Sequence, residues 1–327
     1  MRSLISRLTF AERQDVPRGG SSHRSDWRCA LTFGPWPLSC PAMNAPQILA
    51  GLSQVADRYD VLLCDVWGVI HNGRESFPAA CEALARFQRE RGPVVLISNS
   101  PRPSEAVKPQ LVELRVPDAA WTSFVTSGDA TRALLAERAP GPAWRIGPER
   151  DDVLYEGLGL SFAGPDQAAF IACTGPVDDD VETPEDYRSD LDLAASRGLT
   201  MICANPDRVV HRGDKLIYCG GALADLYAAL GGEVIMAGKP YAAIYDLCLA
   251  EGERLLGRPG RALCIGDGVP TDVKGAQDQG LDCLFIAGGI HGAEVAGAGV
   301  AAVGARIGQV LAEHGAGAAF AMSSLCW

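Results

Sequence analysis

Four short stretches place a polar residue where an apolar run stops. Asp65 closes "DVLLCD", Ser98 closes the apolar part of "PVVLISNS", Lys239 ends "EVIMAGK", and Asp267 and Asp272 stand together in "GDGVPTD". Phosphoryl transfer through a covalent intermediate needs a carboxylate nucleophile, oxygen ligands for a divalent cation and donors for the phosphate oxygens. Asp65 has the position of such a nucleophile, at the end of a buried strand where the backbone turns away through Gly68. Asp267 and Asp272 are close enough in sequence to share one metal environment, and Mg²⁺ prefers an oxygen shell with few carboxylates. Ser98 offers a hydroxyl and neighbouring backbone N–H groups, and Lys239 a compact positive charge. Each piece alone is ordinary, since a strand-terminal aspartate commonly caps a turn. Four in this order, each at a strand end, weigh heavily against coincidence.

The elements that must hold them follow from the periodicity. "DVLLCD", "PVVLISNS", "FVTSG", "EVIMAGK", "RALCIGD" and "DCLFIAGG" read as buried core strands, separated by helical stretches such as "PAACEALARFQRE" and "KPYAAIYDLCLAEGERLL". This alternation predicts a parallel sheet covered on both faces, in which ligands bind beyond the carboxyl ends of the strands. Between them, "AWRIG", "AAFIACTG" and "LTMICANP", with a helix opened by Thr183 and Pro184, predict a separate inserted α/β lobe. The expected division is an N-terminal extension over 1–45, a first core part over 46–138, the inserted lobe over 139–217, a second core part over 218–315 and a C-terminal tail over 316–327. "AMNAPQILAGL" carries a helix-like pattern.

Composition narrows the function. The chain has 327 residues, 47 % of them hydrophobic and 21 % charged, as in a folded globular protein. A formal net charge of −11 argues against nucleic acid and anionic membranes as partners, so an anionic small substrate needs a local positive site. No apolar run reaches the roughly 18 to 20 residues of a membrane span. Lysines are few: Lys108, Lys215, Lys239 and Lys274. Eleven cysteines form no C-x-x-C pair, and Cys64, Cys173, Cys203 and Cys264 lie within apolar runs, which reads as reduced thiols of a cytoplasmic protein. The first 42 residues carry six arginines and no lysine; Glu12, Asp15 and Asp26 count against a transit peptide.

These motifs resemble the haloacid dehalogenase (HAD) superfamily of aspartate-nucleophile phosphohydrolases: Asp65-Val66-Trp67-Gly68-Val69, Ser98-Asn99, Lys239, and Gly266-Asp267 followed by Asp272. Only 33 positions separate Asp65 from Ser98 while 141 separate Ser98 from Lys239, so the inserted lobe sits where C2-type caps sit. "TSGDAT", "ANPDRVVHRG" and "CGGALADLY" are similar to subclass IIA. The resemblance implies a Rossmann-like α/β core with a C2-type cap and a Mg²⁺-dependent phosphatase for a small phosphomonoester. It further implies Asp65 as nucleophile, Asp65, the backbone carbonyl of Trp67, Asp267 and Asp272 around the metal, and Ser98, Asn99 and Lys239 around the phosphate. Cap-to-cap dimers are common in similar proteins, which leaves a homodimer open.

One position departs from the pattern. Phosphatases of this superfamily mostly carry a second aspartate two residues after the nucleophile, and here Trp67 occupies it. An indole donates one hydrogen bond and shuttles no proton at neutral pH, and loss of a general acid typically costs about 10²- to 10⁴-fold in rate. His71 stands nearby as a substitute acid, against the simpler expectation that it packs in the turn. The alternative to a phosphatase is a catalytically weak or inactive protein that binds a phosphorylated ligand. Arg145, Arg188, Arg208 and His211 of the lobe are read as substrate contacts or as solvated surface.

Overall fold

A computed structural model of the chain describes residues 45–212, 215–290 and 300–327. The first 44 residues and the side chain of His211 lie outside the described residues.

The core is a seven-stranded sheet in the order β1-β13-β12-β11-β2-β3-β4, every pair parallel. Its strands are β1 (Gln47–Ile48), β2 (Val61–Asp65), β3 (Val94–Ser98), β4 (Ser123–Thr126), β11 (Ala262–Gly266), β12 (Asp282–Ile286) and β13 (Phe320–Met322). Successive side chains of a strand point to opposite faces, and the core divides accordingly. Leu62, Cys64, Leu96, Leu263 and Leu284 join one apolar cluster, whereas Val61, Leu63, Val95, Cys264 and Phe285 join another. Helices α1 (Pro78–Glu90) and α2 (Ser104–Glu113) cover the first face. On the second lie α3 (Ser127–Ala136), α6 (Ala242–Leu256), α7 (Lys274–Asp278) and α8 (Val300–Glu313). Both faces buried is why these strands read as continuous apolar runs.

The chain leaves β2 toward β3 and β4 and returns on the other side as β11. The carboxyl ends of β2, β3 and β11 therefore flank a switch point, where the loops diverge and leave a crevice.

A second sheet, β10-β7-β6-β5, is also parallel and forms the inserted lobe. It contains β5 (Ala143–Ile146), β6 (Phe170–Cys173), β7 (Thr200–Cys203) and β10 (Glu233–Met236), with α4 (Arg188–Ser196) and α5 (Gly220–Ala229) packed on one face. Thr183 caps as expected and Pro184 follows it, in a short 3-10 turn, Pro184–Tyr187, that leads into α4; Asp186 completes the cap reciprocally. A hairpin, β8 (Val209–Arg212) and β9 (Lys215–Tyr218), projects from the lobe.

Three expectations are corrected. "EVIMAGK" is not a core strand: β10 pairs with β7 from Glu233↔Thr200 to Met236↔Cys203, and Val234 and Met236 pack on the lobe's cluster. The lobe thus runs to Met236, past the expected limit at 217, because an apolar run signals a strand but not its sheet, and β10 is a half-exposed edge strand and not the buried one expected. "AMNAPQILAGL" forms no α-helix over its described part; Gln47–Ile48 is a strand paired with β13, and only Leu52 enters a short 3-10 turn. Residues 316–327 are not a tail, since Phe320–Met322 is buried between β1 and β12. The nine described cysteines are free thiols, eight of them buried. Among the described residues no helix is long and apolar enough to cross a membrane.

Candidate active site

Asp65 is the last residue of β2, Ser98 the last of β3, and Asp267 follows directly on β11. Asp272 lies in a widened π-type turn, Val269–Val273, in which Val273 N–H reaches back to the Gly268 carbonyl at 3.1 Å. Such turns recur at functional sites because the extra residue redirects a side chain. Here it turns the Asp272 carboxylate back onto the Gly268 N–H, at 3.0 Å. Asp65, Asp267 and Asp272 each offer an oxygen within 4.8 Å of the others, all three residues buried. Lys239, only 3 % exposed, donates to Asp65 Oδ1 at 2.5 Å and to Asp272 Oδ1 at 2.7 Å.

The charges do not balance. Three buried carboxylates face one ammonium. Burial pushes the Asp65 carboxyl well above its usual range; Lys239 opposes this, and Asp272 and Asp267 reinforce it. Asp267 is pushed up to about 6 by burial and then by Asp272. For Lys239 burial alone would favour the neutral amine, but Asp272 and Asp65 outweigh it and keep the proton on. The surplus negative charge, carried on hard oxygen donors at one point, is what a divalent cation of the Mg²⁺ or Ca²⁺ type neutralises. The donor set fits such an ion.

Glycines make the packing possible. A Cβ on Gly68, whose φ is +77°, would stand 1.9 Å from Asp267 Oδ2, and one on Gly289 would stand 2.0 Å from the same oxygen. Asp267 is wedged between two backbones, with Ile290 N–H donating to it at 2.7 Å. Sequence reading missed this cage, although the positive-φ turn at Gly68 has a signal in the residue type itself.

Other expected residues behave differently from one another. Ser98 is buried, and its Oγ accepts from Ser100 N–H at 3.3 Å. The side-chain amide of Asn99, expected to face phosphate, is engaged elsewhere. Its Oδ1 accepts from Lys239 N–H at 2.7 Å, and its Nδ2 donates to the Lys239 carbonyl and to Asp207 Oδ1, both at 3.1 Å. Asp207 belongs to the lobe and was missed, because it stands four residues beyond β7, behind Asn205 and Pro206, where no strand end marks it. Burial pushes its carboxyl up, and the bond from Asn99 restrains the rise.

Trp67 is half exposed, at 51 %, with its ring set edge-on to His71 at 5.0 Å between centroids and lying over Gly73. His71 is fully buried, and its Nδ1 accepts from Gly73 N–H at 3.1 Å. Burial lowers its pKa to about 4, so it is neutral near pH 7 and holds the turn instead of supplying a proton. Arg145, Arg188 and Arg208 are engaged in ion pairs with Asp152, Glu185 and Asp225 on the lobe's own surface.

A sheet with its crevice at a switch point and an acid-rich, lysine-bearing floor defines a Rossmann-like hydrolase class. Residues 62–161 match the family model described as haloacid dehalogenase-like hydrolase, and residues 236–312 match a second, HAD-hydrolase-like model. The crystal structure of a haloacid dehalogenase-like hydrolase from Brucella suis is 44 % identical, with 85 % of this chain and 100 % of that one covered at a TM-score of 0.73. The chain belongs to the haloacid dehalogenase-like family of hydrolases. It is also similar to the 5'-nucleotidase YutF of Bacillus subtilis, 27 % identical over 71 % of this chain and 88 % of that protein. Glycerol phosphate phosphatase of Mycobacterium tuberculosis, solved in complex with magnesium, is 25 % identical over 72 % of this chain and 70 % of that chain, with a TM-score of 0.56.

Proposed function

We propose that this chain hydrolyses a small phosphomonoester at Asp65 with Mg²⁺ as cofactor. The observation that carries the reading is the meeting, at the carboxyl end of the core sheet, of the Asp65, Asp267 and Asp272 carboxylates within 4.8 Å of one another, with Lys239 hydrogen-bonded to Asp65 and Asp272. Relatives named as phosphatases and a nucleotidase, one of them solved with magnesium, support it. Asp65, Asp267 and Asp272, with the main-chain carbonyl of Trp67, would hold the ion. When bound, Mg²⁺ offsets the negative charge of the phosphoryl group.

The side chains account for the remaining steps. An Asp65 oxygen attacks phosphorus; its new P–O bond forms as the bond to the leaving oxygen breaks, and the leaving oxygen takes the electron pair. Lys239 and the Ser98 hydroxyl bind phosphoryl oxygens. Water then attacks the phosphorus of the aspartyl-phosphate, releasing inorganic phosphate and restoring the Asp65 carboxylate. Trp67 replaces the proton donor and His71 does not stand in for it, so the leaving oxygen departs without a proton from either side chain. The substrates favoured are therefore esters whose leaving group is acidic, such as phenolic ones.

The test is a panel of aryl and alkyl phosphomonoesters with Mg²⁺. Aryl esters should turn over, with rates rising steeply as the leaving group becomes more acidic; Asp65→Asn and chelation of the metal should each abolish turnover. Equal inertness of wild type and Asp65→Asn, with a phosphorylated ligand still bound, would establish the binding-protein reading that Trp67 otherwise favours.

A further inference from the structure

Lys239 does not come from the core sheet. It lies three residues beyond β10, the strand the lobe contributes, where the chain passes back toward α6. Its ammonium nevertheless lies against Asp65 and Asp272 of the core. Its position is therefore only as well defined as the seam between lobe and core.

That seam has two parts: α3 packs on the lobe through Leu135 against Leu154, Phe170 and Ile202, with Arg132 donating to the Leu154 and Glu156 carbonyls, and a few specific polar contacts surround Lys239 itself. Asn99, next to Ser98 on the core side, grips the Lys239 peptide from both ends, accepting from its N–H at 2.7 Å and donating to its carbonyl at 3.1 Å. Its second Nδ2 proton has a partner from the lobe, Asp207 Oδ1 at 3.1 Å. Beside them, Ser127 at the start of α3 donates to the carbonyl of Ala204 in the same lobe loop. Gly238 admits no side chain here, since a Cβ would stand 2.6 Å from Asn99 Oδ1 and 2.8 Å from both Pro206 Cδ and Ser127 Oγ. Ser127 is itself fixed by the cap that Thr126 and Asp129 make on α3.

An amide that uses all three of these bonds has one orientation. If the Asp207 acceptor is removed, the Asn99 side chain keeps its two bonds to Lys239 but loses the third point that fixes its plane. We infer that Asp207 is a positioning residue: through Asn99 it couples seating of the lobe loop 204–207 to the placement of Lys239 over Asp65. A phosphoryl-binding lysine is in register only when the lobe is seated, which ties turnover to lobe closure. The kinetic part of this inference rests on the hydrolase reading; the structural part does not.

Two readouts separate them. The first is amide hydrogen exchange at Lys239, followed on peptides spanning 236–241. Asp207→Ala should raise it at least tenfold while exchange in β2 stays as in wild type, and Asp207→Asn, whose amide oxygen still accepts from Asn99, should return it to within about threefold of wild type. The second is kinetics with an aryl phosphate. Asp207→Ala should lower kcat at least tenfold, and Asp207→Asn should restore most of it, with melting temperatures of both close to wild type. Should Asp207→Ala fail to fold, Asp207→Ser, which keeps a hydroxyl for the turn but falls short of Asn99, gives the same reading. Lys239 exchange in the variant within twofold of wild type overturns the coupling. A wild type inert on every ester, with Lys239 exchange still raised in Asp207→Ala, leaves the coupling standing and removes the hydrolase reading alone.

Discussion

At position 67 the side chain decides how the proton is handled. An indole N–H does not ionise at neutral pH, and His71, whose pKa is lowered to about 4 with Nδ1 held by Gly73, gives no substitute. Trp67→Asp should therefore raise kcat on alkyl phosphates, by up to about 10²-fold given the usual worth of a general acid, while changing aryl phosphates much less. Stopped assays on matched alkyl and aryl esters measure that difference; a folded variant slower on both would show that the indole packs against substrate. Trp67 was legible in the sequence as a departure because the motif around it is local. That His71 packs in the turn is the simpler expectation from the sequence, and its burial with Nδ1 accepting from Gly73 N–H agrees with it.

Elements answer a different question, namely which residue is attached to which sheet. The pattern marked "EVIMAGK" and "DCLFIAGG" alike as buried strands, yet β10 joins the lobe and β12 the core. Pairing partner is set by the packing of Val234 and Met236 on the lobe's cluster, which a single run does not record. The sequence expectation over 316–327 is a tail, and "GAAFAM" has little β propensity of its own; its strand exists because β1 and β12 hydrogen-bond it on both sides. Deleting residues 316–327 should thus expose the edge of β12 and open the apolar clusters that Phe320, Ala321 and Met322 close. The truncated protein is expected to be largely insoluble or to melt at least 10 °C lower by circular dichroism; an unchanged melting temperature would restore the tail.

Over the whole molecule, the fold holds an excess of negative charge at its switch point, and stability should report it. Asp267 has a folded pKa of about 6, above its unfolded value, so between about pH 4 and 6 the folded state keeps a proton that the unfolded chain has released. Its contribution therefore falls as pH rises through that window and is lowest above it. On the proposed function, Mg²⁺ would bind the carboxylate form and should stabilise most where the site is most repulsive. At a concentration about 100-fold above its Kd, linkage gives roughly 2.7 kcal/mol. Melting by differential scanning fluorimetry should rise by several degrees with Mg²⁺ at pH 8, much less at pH 5, and not at all in Asp267→Asn at either pH. An equal shift at both pH values would count against Asp267 as a ligand.

The amino-acid sequence by itself determined which groups stand at the site: which residues end which strands, and that Asp65, the acidic pair and a lysine belong together. Those are local facts, written in apolar runs and the residues that stop them. Only the tertiary structure decided how they are held. The bonds that do it join residues 174, 140 and 108 positions apart, Lys239 to Asp65, Lys239 to Asn99 and Asn99 to Asp207. Contacts at such separations arise where loops of the lobe meet loops of the core, and no periodicity within either sheet carries them.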